Sequence, residues 1–462
     1  MTFTGISQDT RQLKKGEIFF DIIGCSDRVR SAIHLGAAAI ISPVKETFNT
    51  SIPFIYTDNP RLMFARACDV LFQKQPDIIA AITGTNGKTS TADFIRQLYL
   101  SLKIPAASIG TLGVKGAQTS FEIPSLTTLD AYHLHKVLAD LAEKNIDAVA
   151  LEASSHGLDQ YRLDGVRVKY AVFTNLTQDH LDYHQTMDHY FQAKTRLFLE
   201  VMDASGIAII NKDDTYGQEL LDLCQEKKIR TFSYSLEDAS ADLYGSIEQI
   251  HGHGLRVSIK AFDHQITVDI PVVGLFQVAN ILAAVGVILA STPHKLSDIK
   301  SGLEKLQSPS GRMDYVGKSI LGGCVFVDYA HTPDALKRAL QSLRAHTANQ
   351  IHVVFGCGGD RDRSKRLLMG EIAKKWADRV IVTDDNPRTE DPKTIRQAVL
   401  LGCPEALEKA DREEAIATAI AALKEGDSLL IAGKGHEQGQ MIGKENKPFC
   451  DRKVALKYLK GV

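Results

Sequence analysis

One short stretch constrains the fold of this chain more than any other. Residues 77–82 form an apolar run that predicts a buried strand, and residues 91–102 have the amphipathic pattern of a helix. The turn between them contains glycines, which let backbone N–H groups approach phosphate oxygens. Lys88 adds a positive charge, and the Thr89 hydroxyl can reach Mg²⁺. The stretch therefore predicts a nucleotide site formed by Gly84, Thr85, Asn86, Gly87, Lys88, Thr89 and Ser90.

The composition is that of a globular chain with no strong electrostatic preference. Its 462 residues suffice for about two to four domains. The net charge of −2 provides no global field for nucleic acid or an anionic membrane, so neither is an expected partner. The apolar run 281–290 is too short to span a bilayer, and the N-terminus lacks a signal-peptide pattern. Seven scattered cysteines without a C-x-x-C pair favour free thiols in a reducing cytoplasm.

The order of the predicted elements indicates an α/β protein with three domains. Residues 1–76 predict a small α/β domain. In residues 77–308, apolar strands alternate with helices, which favours a P-loop-type, mostly parallel sheet. Two period-two runs in this region, 255–261 and 265–270, predict an edge hairpin. Residues 309–462 repeat the strand–helix alternation and predict a Rossmann-like domain.

Acidic and histidine residues follow two of the central strands. Glu152 stands at the predicted end of one strand, and ligands bind at that edge of parallel sheets. Its carboxylate and the Thr89 hydroxyl predict a Mg²⁺–nucleotide site, because Mg²⁺ is usually held by few protein oxygens plus phosphates. The stretch 175–184 is rich in Asp and His, includes His180, and suggests a second metal position. Lys194 by itself predicts no more than a solvated or snorkelling lysine.

Four strand exits in residues 309–462 carry glycine and polar side chains. They follow apolar runs that end near Asp328, Phe355, Thr383 and Ala432. Each exit alone is compatible with an ordinary capped loop. Because the carboxyl ends of parallel strands meet at one edge of a sheet, the four exits together predict one shared ligand-binding cleft.

Six motifs in the same order make the chain similar to the Mur ligase family. They occupy residues 83–89, 152–157, 175–180, 311–312, 328–333 and 433–437. The segment Asp385-Asn386-Pro387-Arg388 resembles the motif of the members that add meso-2,6-diaminopimelate. The resemblance implies an ATP- and Mg²⁺-dependent ligase of cytoplasmic peptidoglycan precursor synthesis. In that reaction a carboxylate of UDP-N-acetylmuramoyl-L-alanyl-D-glutamate becomes an acyl phosphate, which the amine of meso-2,6-diaminopimelate attacks.

The resemblance also implies roles for individual residues and domains. The three domains would bind the UDP-sugar, ATP and the amino acid in chain order, and domain closure would assemble the site. Lys88 would contact the β- and γ-phosphates, and Lys194 would be carbamylated. The implied metal ligands are Thr89, Glu152, His180 and Lys194, and further ATP contacts are Asn280, Arg312 and Asp328. The UDP-sugar dipeptide would be held by Thr10, Thr127, Thr128, Ser154, Gln160 and Arg162. Diaminopimelate would be held by Arg361, Asp385, Asn386, Pro387, Arg388, Gly433 and Glu437.

A few departures from the family pattern leave alternatives open. Gln277 stands where the family usually has Asn near the adenine, and Thr10 replaces the usual Ser of an Asp-Ser-Arg motif. The alternatives are a lysine-adding tripeptide synthetase, a folylpolyglutamate-synthase-like ligase and a non-catalytic nucleotide-binding protein. Arg388 argues against lysine, because its guanidinium would face an ammonium group rather than a carboxylate. The full set of metal and phosphate residues argues against a non-catalytic role, and a monomer is expected.

Overall fold

A computed structural model describes residues 3–116 and 121–460. The chain divides into two compact units, Met1–Ala241 with Ala283–His294, and Asp242–Leu282 with Lys295–Val462. The domain boundaries near residues 76 and 308 stay a prediction. Within the described residues, no helix is long and apolar enough to cross a membrane. All seven cysteines are free, as the scattered spacing predicted.

Residues 3–76 form a small parallel sheet with two helices. The strands pair in the order β1-β2-β3-β4, and Phe19, Phe20 and Ile40 are buried beneath the helices. The predicted strands and helix are all present, with boundaries within two residues of the prediction. The elements are β1 (Ile6–Ser7), β2 (Ile18–Phe20), α1 (Ser26–His34), β3 (Ala39–Ser42), β4 (Phe54–Tyr56) and α2 (Pro60–Phe72).

The rest of the first unit contains a larger sheet in the order β11-β10-β9-β5-β8-β6-β7. All neighbours are parallel except β7, which pairs antiparallel with β6. The central strands are buried on both faces, which explains their continuous apolar runs. The elements are β5 (Ile78–Thr83), α3 (Lys88–Ser101), β6 (Ala106–Gly110), β7 (Gly113–Lys115), α4 (Ala131–Glu143), β8 (Ala148–Glu152), α5 (Ser155–Asp159), β9 (Val168–Phe173), α6 (Leu181–His184), α7 (Met187–Arg196), a π-helix (Leu197–Val201), β10 (Met202–Asn211), α8 (Thr215–Glu226) and β11 (Arg230–Ser235).

The second unit begins with an antiparallel meander that includes the predicted hairpin. Its strands are β12 (Leu243–His251), β13 (Gly254–Ala261) and β14 (His264–Ile270). Helix α9 (Phe276–Ser291) follows, with residues 276–282 in the second unit and residues 283–291 in the first. The short helix α10 (Lys300–Leu303) belongs to the second unit.

A six-stranded sheet forms the body of the second unit, in the order β15-β16-β20-β17-β18-β19. The four strands predicted from the sequence are neighbours in it and parallel, so their polar exits lie side by side. The elements are β15 (Asp314–Lys318), β16 (Cys324–Asp328), α11 (Pro333–Arg344), β17 (Ile351–Phe355), α12 (Lys365–Trp376), β18 (Arg379–Val382), α13 (Pro392–Leu400), β19 (Leu407–Glu408), α14 (Arg412–Ala421), β20 (Ser428–Ala432), β21 (Gly439–Ile442), β22 (Glu445–Pro448) and α15 (Asp451–Leu459).

Candidate active site

The turn after β5 has the backbone conformation that its glycines predict. Gly84 has a φ of +146°, and a Cβ at this position would collide with the Thr174 hydroxyl. Gly87 has a φ of +87° and is the N-cap of α3, which begins at Lys88 rather than at the predicted residue 91. The first N–H groups of a helix have no partner within the helix, so they can bind phosphate. Lys88 Nζ donates to the carbonyls of Gly84 and Thr85, each at 2.9 Å.

A second strand exit anchors the same turn. The backbone N–H of Asn86 donates to Asn175 Oδ1 at 2.9 Å, and Asn175 Nδ2 returns a bond to the Asn86 carbonyl. The Thr85 hydroxyl donates to the carbonyl of Thr177 at 3.1 Å. The stretch that follows β9 therefore fixes the phosphate loop through polar contacts.

Glu152 ends β8, and its carboxylate accepts hydrogen bonds from Thr89 and Thr111. The Thr89 hydroxyl donates to Glu152 Oε2 at 3.0 Å, so the structure brings the predicted hydroxyl and carboxylate together. The Thr111 backbone N–H donates to Oε1 at 2.9 Å and the Thr111 hydroxyl to Oε2 at 3.2 Å. Glu152 is only 3% exposed. A buried carboxylate with this many donors has a fixed orientation, as a metal ligand requires.

Lys194 lies on α7 with its side chain buried, which the sequence alone did not indicate. Its Nζ donates to the Gly84 carbonyl at 3.0 Å and lies 4.5 Å from the centre of the Tyr190 ring. Burial, and then the nearby Lys88 charge, hold the pKa of Lys194 well below its usual value. The Tyr190 hydroxyl is 3.2 Å from the Thr85 hydroxyl, so the ring also supports the phosphate loop.

His180 is close to this region but more open to solvent, with a side chain that is 46% exposed. Its φ of +53° is left-handed. Its ring centre is 4.9 Å from that of His156 and 6.1 Å from that of Tyr190. The structure therefore places His180 beside the ring that faces Lys194.

Five of the six residues predicted to hold the UDP-sugar dipeptide form one group around the end of β8. Thr128 Oγ1 donates to the Glu152 carbonyl and accepts from the Ser154 N–H, at 2.7 and 2.8 Å. Arg162 donates to the Thr128 carbonyl and to Gln160 Oε1, each at 2.7 Å. Thr127 and Thr111 share a hydroxyl contact of 3.2 Å, and Thr10 lies in the loop after β1.

Among the strand exits of the second unit, the Asn386 side chain is at the centre of a polar network. Lys434, which is fully buried, donates from Nζ to Asn386 Oδ1 and to Glu437 Oε2, each at 2.9 Å. Asn386 Nδ2 donates to Glu437 Oε2 at 2.9 Å. Burial alone would raise the pKa of Glu437, but the bonds from Asn386 and Lys434 outweigh burial and lower it.

The neighbouring segment from Asp385 to Arg388 packs against glycines. Arg388 has a left-handed φ of +51° and donates from Nη1 to the Gly359 carbonyl at 2.7 Å. A Cβ at Gly358 would lie 2.8 Å from Arg388 Nη1, and a Cβ at Gly433 would lie 2.6 Å from Asp385 Oδ2. Asp385 is buried, its Oδ2 accepts no hydrogen bond within the described part of the chain, and burial raises its pKa.

In the second unit, the residues predicted to contact ATP lie in two places. Asp328 accepts the N–H groups of Met313 and Ala330, and the Arg312 guanidinium lies 5.0 Å from the Tyr329 ring centre. Asn280 donates to Gln277 Oε1 at 2.9 Å at the start of α9. Gln277 is buried, and its Nε2 has no hydrogen-bond partner among residues 3–116 and 121–460. Arg361 is exposed beside the Gly358 loop.

Sequence reasoning missed several residues that hold these groups. Thr111 could have been predicted from the sequence, because it is a hydroxyl residue directly after β6, the strand that pairs with β8. Lys434 was inside a recognised motif but received no role. Arg412 and Asp451 form a fully buried ion pair, with nitrogen–oxygen distances of 2.7 and 2.8 Å, and Arg412 also donates to the Ala432 carbonyl. No sequence signal links these two residues, which are 39 positions apart.

Comparison with known proteins identifies the family. The model of the Mur ligase middle domain matches residues 82–288, and that of the Mur ligase, glutamate ligase domain matches residues 311–435. The UDP-N-acetylmuramoyl-L-alanyl-D-glutamate--2,6-diaminopimelate ligase of Mesorhizobium japonicum is 42% identical over 453 residues, covering 97% of this chain and 93% of the relative. The chain belongs to the Mur ligase family. This Mur ligase is an ATP-dependent enzyme that forms amide bonds.

Solved structures agree with that assignment. A structure of a UDP-N-acetylmuramoyl-L-alanyl-D-glutamate--2,6-diaminopimelate ligase is 34% identical, with a TM-score of 0.75 over 99% of this chain and 95% of the other. A Mycobacterium tuberculosis folylpolyglutamate synthase is 18% identical, with a TM-score of 0.64 over 80% of this chain and 92% of the other. At that identity the second likeness extends to the fold alone, so it gives no support to a folate-directed activity.

Proposed function

We propose that this Mur ligase joins meso-2,6-diaminopimelate to UDP-N-acetylmuramoyl-L-alanyl-D-glutamate at the expense of ATP. The observation that carries the proposal is the Asp385–Arg388 segment, in which a cationic fork lies beside the Asn386, Lys434 and Glu437 network. The identity to relatives that bear this activity in their names supports the same substrates. We further propose a monomer acting in the cytoplasm, where free cysteines stay reduced.

In the proposed reaction, the γ-phosphoryl group passes from ATP to a carboxylate oxygen of the nucleotide-sugar dipeptide. The neutral amine of diaminopimelate then attacks the acyl carbon and a C–N bond forms. The C–O bond to phosphate breaks, inorganic phosphate leaves with that electron pair, and the nitrogen loses one proton to solvent. The Lys88 ammonium group and the N–H groups at the start of α3 offset the negative charge of the phosphates. Thr127, Thr128, Ser154, Gln160 and Arg162 would orient the dipeptide, and Thr10 would contact the nucleotide.

The residues around Glu152 fit Mg²⁺. Among the described residues, no three His, Cys, Asp or Glu side chains come together as a metal site. The Thr89 hydroxyl and the Glu152 carboxylate instead supply two oxygens 3.0 Å apart, a donor set suited to Mg²⁺ that phosphate oxygens also bind. His180 and a modified Lys194 would be the ligands of a second Mg²⁺. Bound Mg²⁺ would neutralise negative charge on the transferred phosphoryl group.

Lys194 has the environment that carbamylation needs. Burial and the Lys88 charge favour the neutral amine, the form that can attack carbon dioxide. The nitrogen of the neutral amine bonds to the carbon of carbon dioxide while one C=O electron pair moves to oxygen. The nitrogen then loses a proton, and the product is an anionic carbamate. Tyr190 and the Gly84 carbonyl hold the nitrogen in place before this step.

The amino-acid region fits a ligand with a carboxylate at its far end. Arg388 has a guanidinium that can bind a carboxylate with two parallel hydrogen bonds. Arg361, Asn386, Pro387 and Gly433 would line the same pocket, and Asp385 and Glu437 would receive an ammonium group. Arg312, Asp328 and Asn280 are proposed ATP contacts.

Amino-acid-dependent phosphate release tests this function. With ATP, Mg²⁺ and the UDP-sugar dipeptide, the purified enzyme should release phosphate with meso-2,6-diaminopimelate and far less with lysine. Turnover with lysine and none with diaminopimelate would support the lysine-adding alternative. Turnover only with a folate and glutamate would support the folylpolyglutamate-type alternative. ATP binding without turnover under every condition would contradict a catalytic role.

A further inference from the structure

The hairpin formed by β21 and β22, residues 439–448, lies against the Asp385–Arg388 segment. The backbone N–H of Arg388 donates to the Met441 carbonyl at 3.0 Å, and the N–H of Gly443 donates to the Arg388 carbonyl at 2.7 Å. These two bonds make Arg388 a parallel bridge partner of Ile442. Arg388 is therefore paired through both of its backbone polar groups with the hairpin.

Two further bonds join the hairpin to the residues before Arg388. The Met441 N–H donates to Asn386 Oδ1 at 2.9 Å, and Gln440 Nε2 donates to the Asp385 carbonyl at 2.8 Å. Because Asn386 Oδ1 also accepts from Lys434, its oxygen faces two donors and its Nδ2 is directed to Glu437. The hairpin thus orients the Asn386 amide as well as the Arg388 backbone.

The backbone of Arg388 needs such support. Its φ of +51° is left-handed, a conformation that residues other than glycine rarely adopt unless their surroundings impose it. On the side away from the hairpin, the segment meets glycines, and the Gly359 N–H donates to the Asn386 carbonyl at 2.9 Å. Arg388 Nη1 reaches the Gly359 carbonyl from this backbone conformation. A relaxed Arg388 backbone would aim the guanidinium elsewhere.

Packing into the hydrophobic core contributes little to the stability of the hairpin itself. Residues 442–448 are exposed, and a two-stranded hairpin is at best marginally stable by itself. Strand β22 is polar, β21 is partly exposed, and no residue of 439–448 belongs to the buried core. The contacts with Asp385, Asn386 and Arg388 are the feature of the hairpin that a core-packing role does not explain.

We propose that the 439–448 hairpin is a positioning element that sets the amino-acid selectivity of the enzyme. Its bonds to Asp385, Asn386 and Arg388 let it act through the side chains of Asn386 and Arg388. The proposal rests on the function proposed above. It predicts that a hairpin substitution changes the choice between diaminopimelate and lysine while ATP use stays the same.

The test compares Gln440→Met with Gln438→Met. Met keeps the length of Gln but removes the amide, so Gln440→Met deletes only the bond to the Asp385 carbonyl. Gln438 precedes the hairpin and bonds to the His436 carbonyl and the Cys450 thiol instead. We expect Gln440→Met to raise the KM for diaminopimelate about fivefold, the factor that one ordinary hydrogen bond contributes. The kcat/KM ratio of diaminopimelate to lysine should fall by a similar factor, with the KM for ATP unchanged.

A second variant acts on the hairpin turn. Gly443 has a φ of +60°, and a Cβ added at this position would meet no other atom within 4 Å. Gly443→Val therefore strains the turn without a clash elsewhere, and it should raise the KM for diaminopimelate more than Gln440→Met does. The melting temperature of each variant is measured alongside, because a purely structural role would lower stability and leave selectivity unchanged.

The outcomes separate this inference from the proposed function. If the wild type does not add diaminopimelate, the proposed function fails. If the wild type adds it and both hairpin variants keep the wild-type KM and selectivity, the positioning role is wrong. Equal effects of Gln440→Met and Gln438→Met would also overturn it, since of these two glutamine side chains it is Gln440 that bonds to the segment carrying Arg388.

Discussion

The nucleotide region and the amino-acid region of this Mur ligase place their key groups in different ways. In the nucleotide region, Gly84, Gly87 and Lys88 are close in sequence, and the backbone angles of two glycines create the phosphate-binding turn. In the amino-acid region, Arg388 and Asn386 take their orientation from Gly359, Lys434 and Met441, which are far from them in the chain.

The difference follows from what each ligand requires. A phosphate is recognised by backbone N–H groups at a helix start, and a short motif can encode that geometry. An amino acid is distinguished by side-chain donors and acceptors, whose directions depend on polar neighbours. Substitutions in the first region should therefore reduce turnover, whereas those in the second should change the KM for the amino acid.

The largest expected effect is that of Lys194→Ala in the nucleotide region. The substitution removes the buried amine that is the proposed carbamate precursor, and we expect kcat to fall at least about 100-fold, as for the loss of a group that stabilises transition-state charge. Short carboxylic acids should restore part of the activity if the carbamate binds metal. Phosphate release measures both effects, and Lys169→Ala, at an exposed lysine of β9, is the matched control. Full activity of Lys194→Ala would rule out the role.

The second largest effect is expected in the amino-acid region, from Arg388→Lys. Lysine keeps the charge but cannot form two parallel hydrogen bonds with a carboxylate. We expect the KM for diaminopimelate to rise about 10- to 100-fold, the range for hydrogen bonds to a charged group, with the KM for ATP unchanged. Arg363→Lys is the control, because Arg363 is 75% exposed and pairs with Glu390. An equal rise in the KM for ATP would mean that the two regions are not separable.

Much of the fold could be predicted from the sequence, and two elements illustrate why. Strand β17 (Ile351–Phe355) and helix α11 (Pro333–Arg344) begin and end where the pattern predicts. The strand is a fully buried apolar run, and the helix has a Pro at its first position and a Thr332 cap. Such signals are local, so they do not depend on the rest of the chain.

The parts that were missed depend on contacts between distant residues. Strand β22 is polar and exposed, and in the partly exposed β21 the apolar residues Met441 and Ile442 are adjacent rather than alternating, so no period-two signal marks the hairpin. The burial of Lys194 and of the Arg412–Asp451 pair arises only when separate elements pack together. The site motifs were recognisable because they resemble those of a family, whereas the residues that support them were not.

Lys434→Met tests the network around Asn386. Met has a similar length and no charge, so Asn386 Oδ1 and Glu437 lose a donor, which we expect to cost about 1–3 kcal/mol of stability. The KM for diaminopimelate should rise about tenfold. Denaturant unfolding measures the stability, and Lys337→Met, at an exposed position of α11, is the control. A stability loss without a change in KM would make Lys434 a purely structural residue.

The smallest effect is expected from Thr111→Val, which returns to the nucleotide region. Valine has nearly the same shape and keeps the backbone N–H that donates to Glu152 Oε1, but it removes the hydroxyl that contacts Glu152 Oε2 and Thr127. We expect kcat to fall about fivefold, the contribution of one hydrogen bond, with more Mg²⁺ needed for half-maximal activity. The kcat of Thr111→Ser should stay near that of the wild type. The same is expected for the control Thr267→Val, at an exposed strand position. Because the Thr111 hydroxyl acts on Glu152 and Thr127, the KM for diaminopimelate should not change. A variant that raised this KM and left kcat intact would show that the two regions do not divide turnover and selectivity between them.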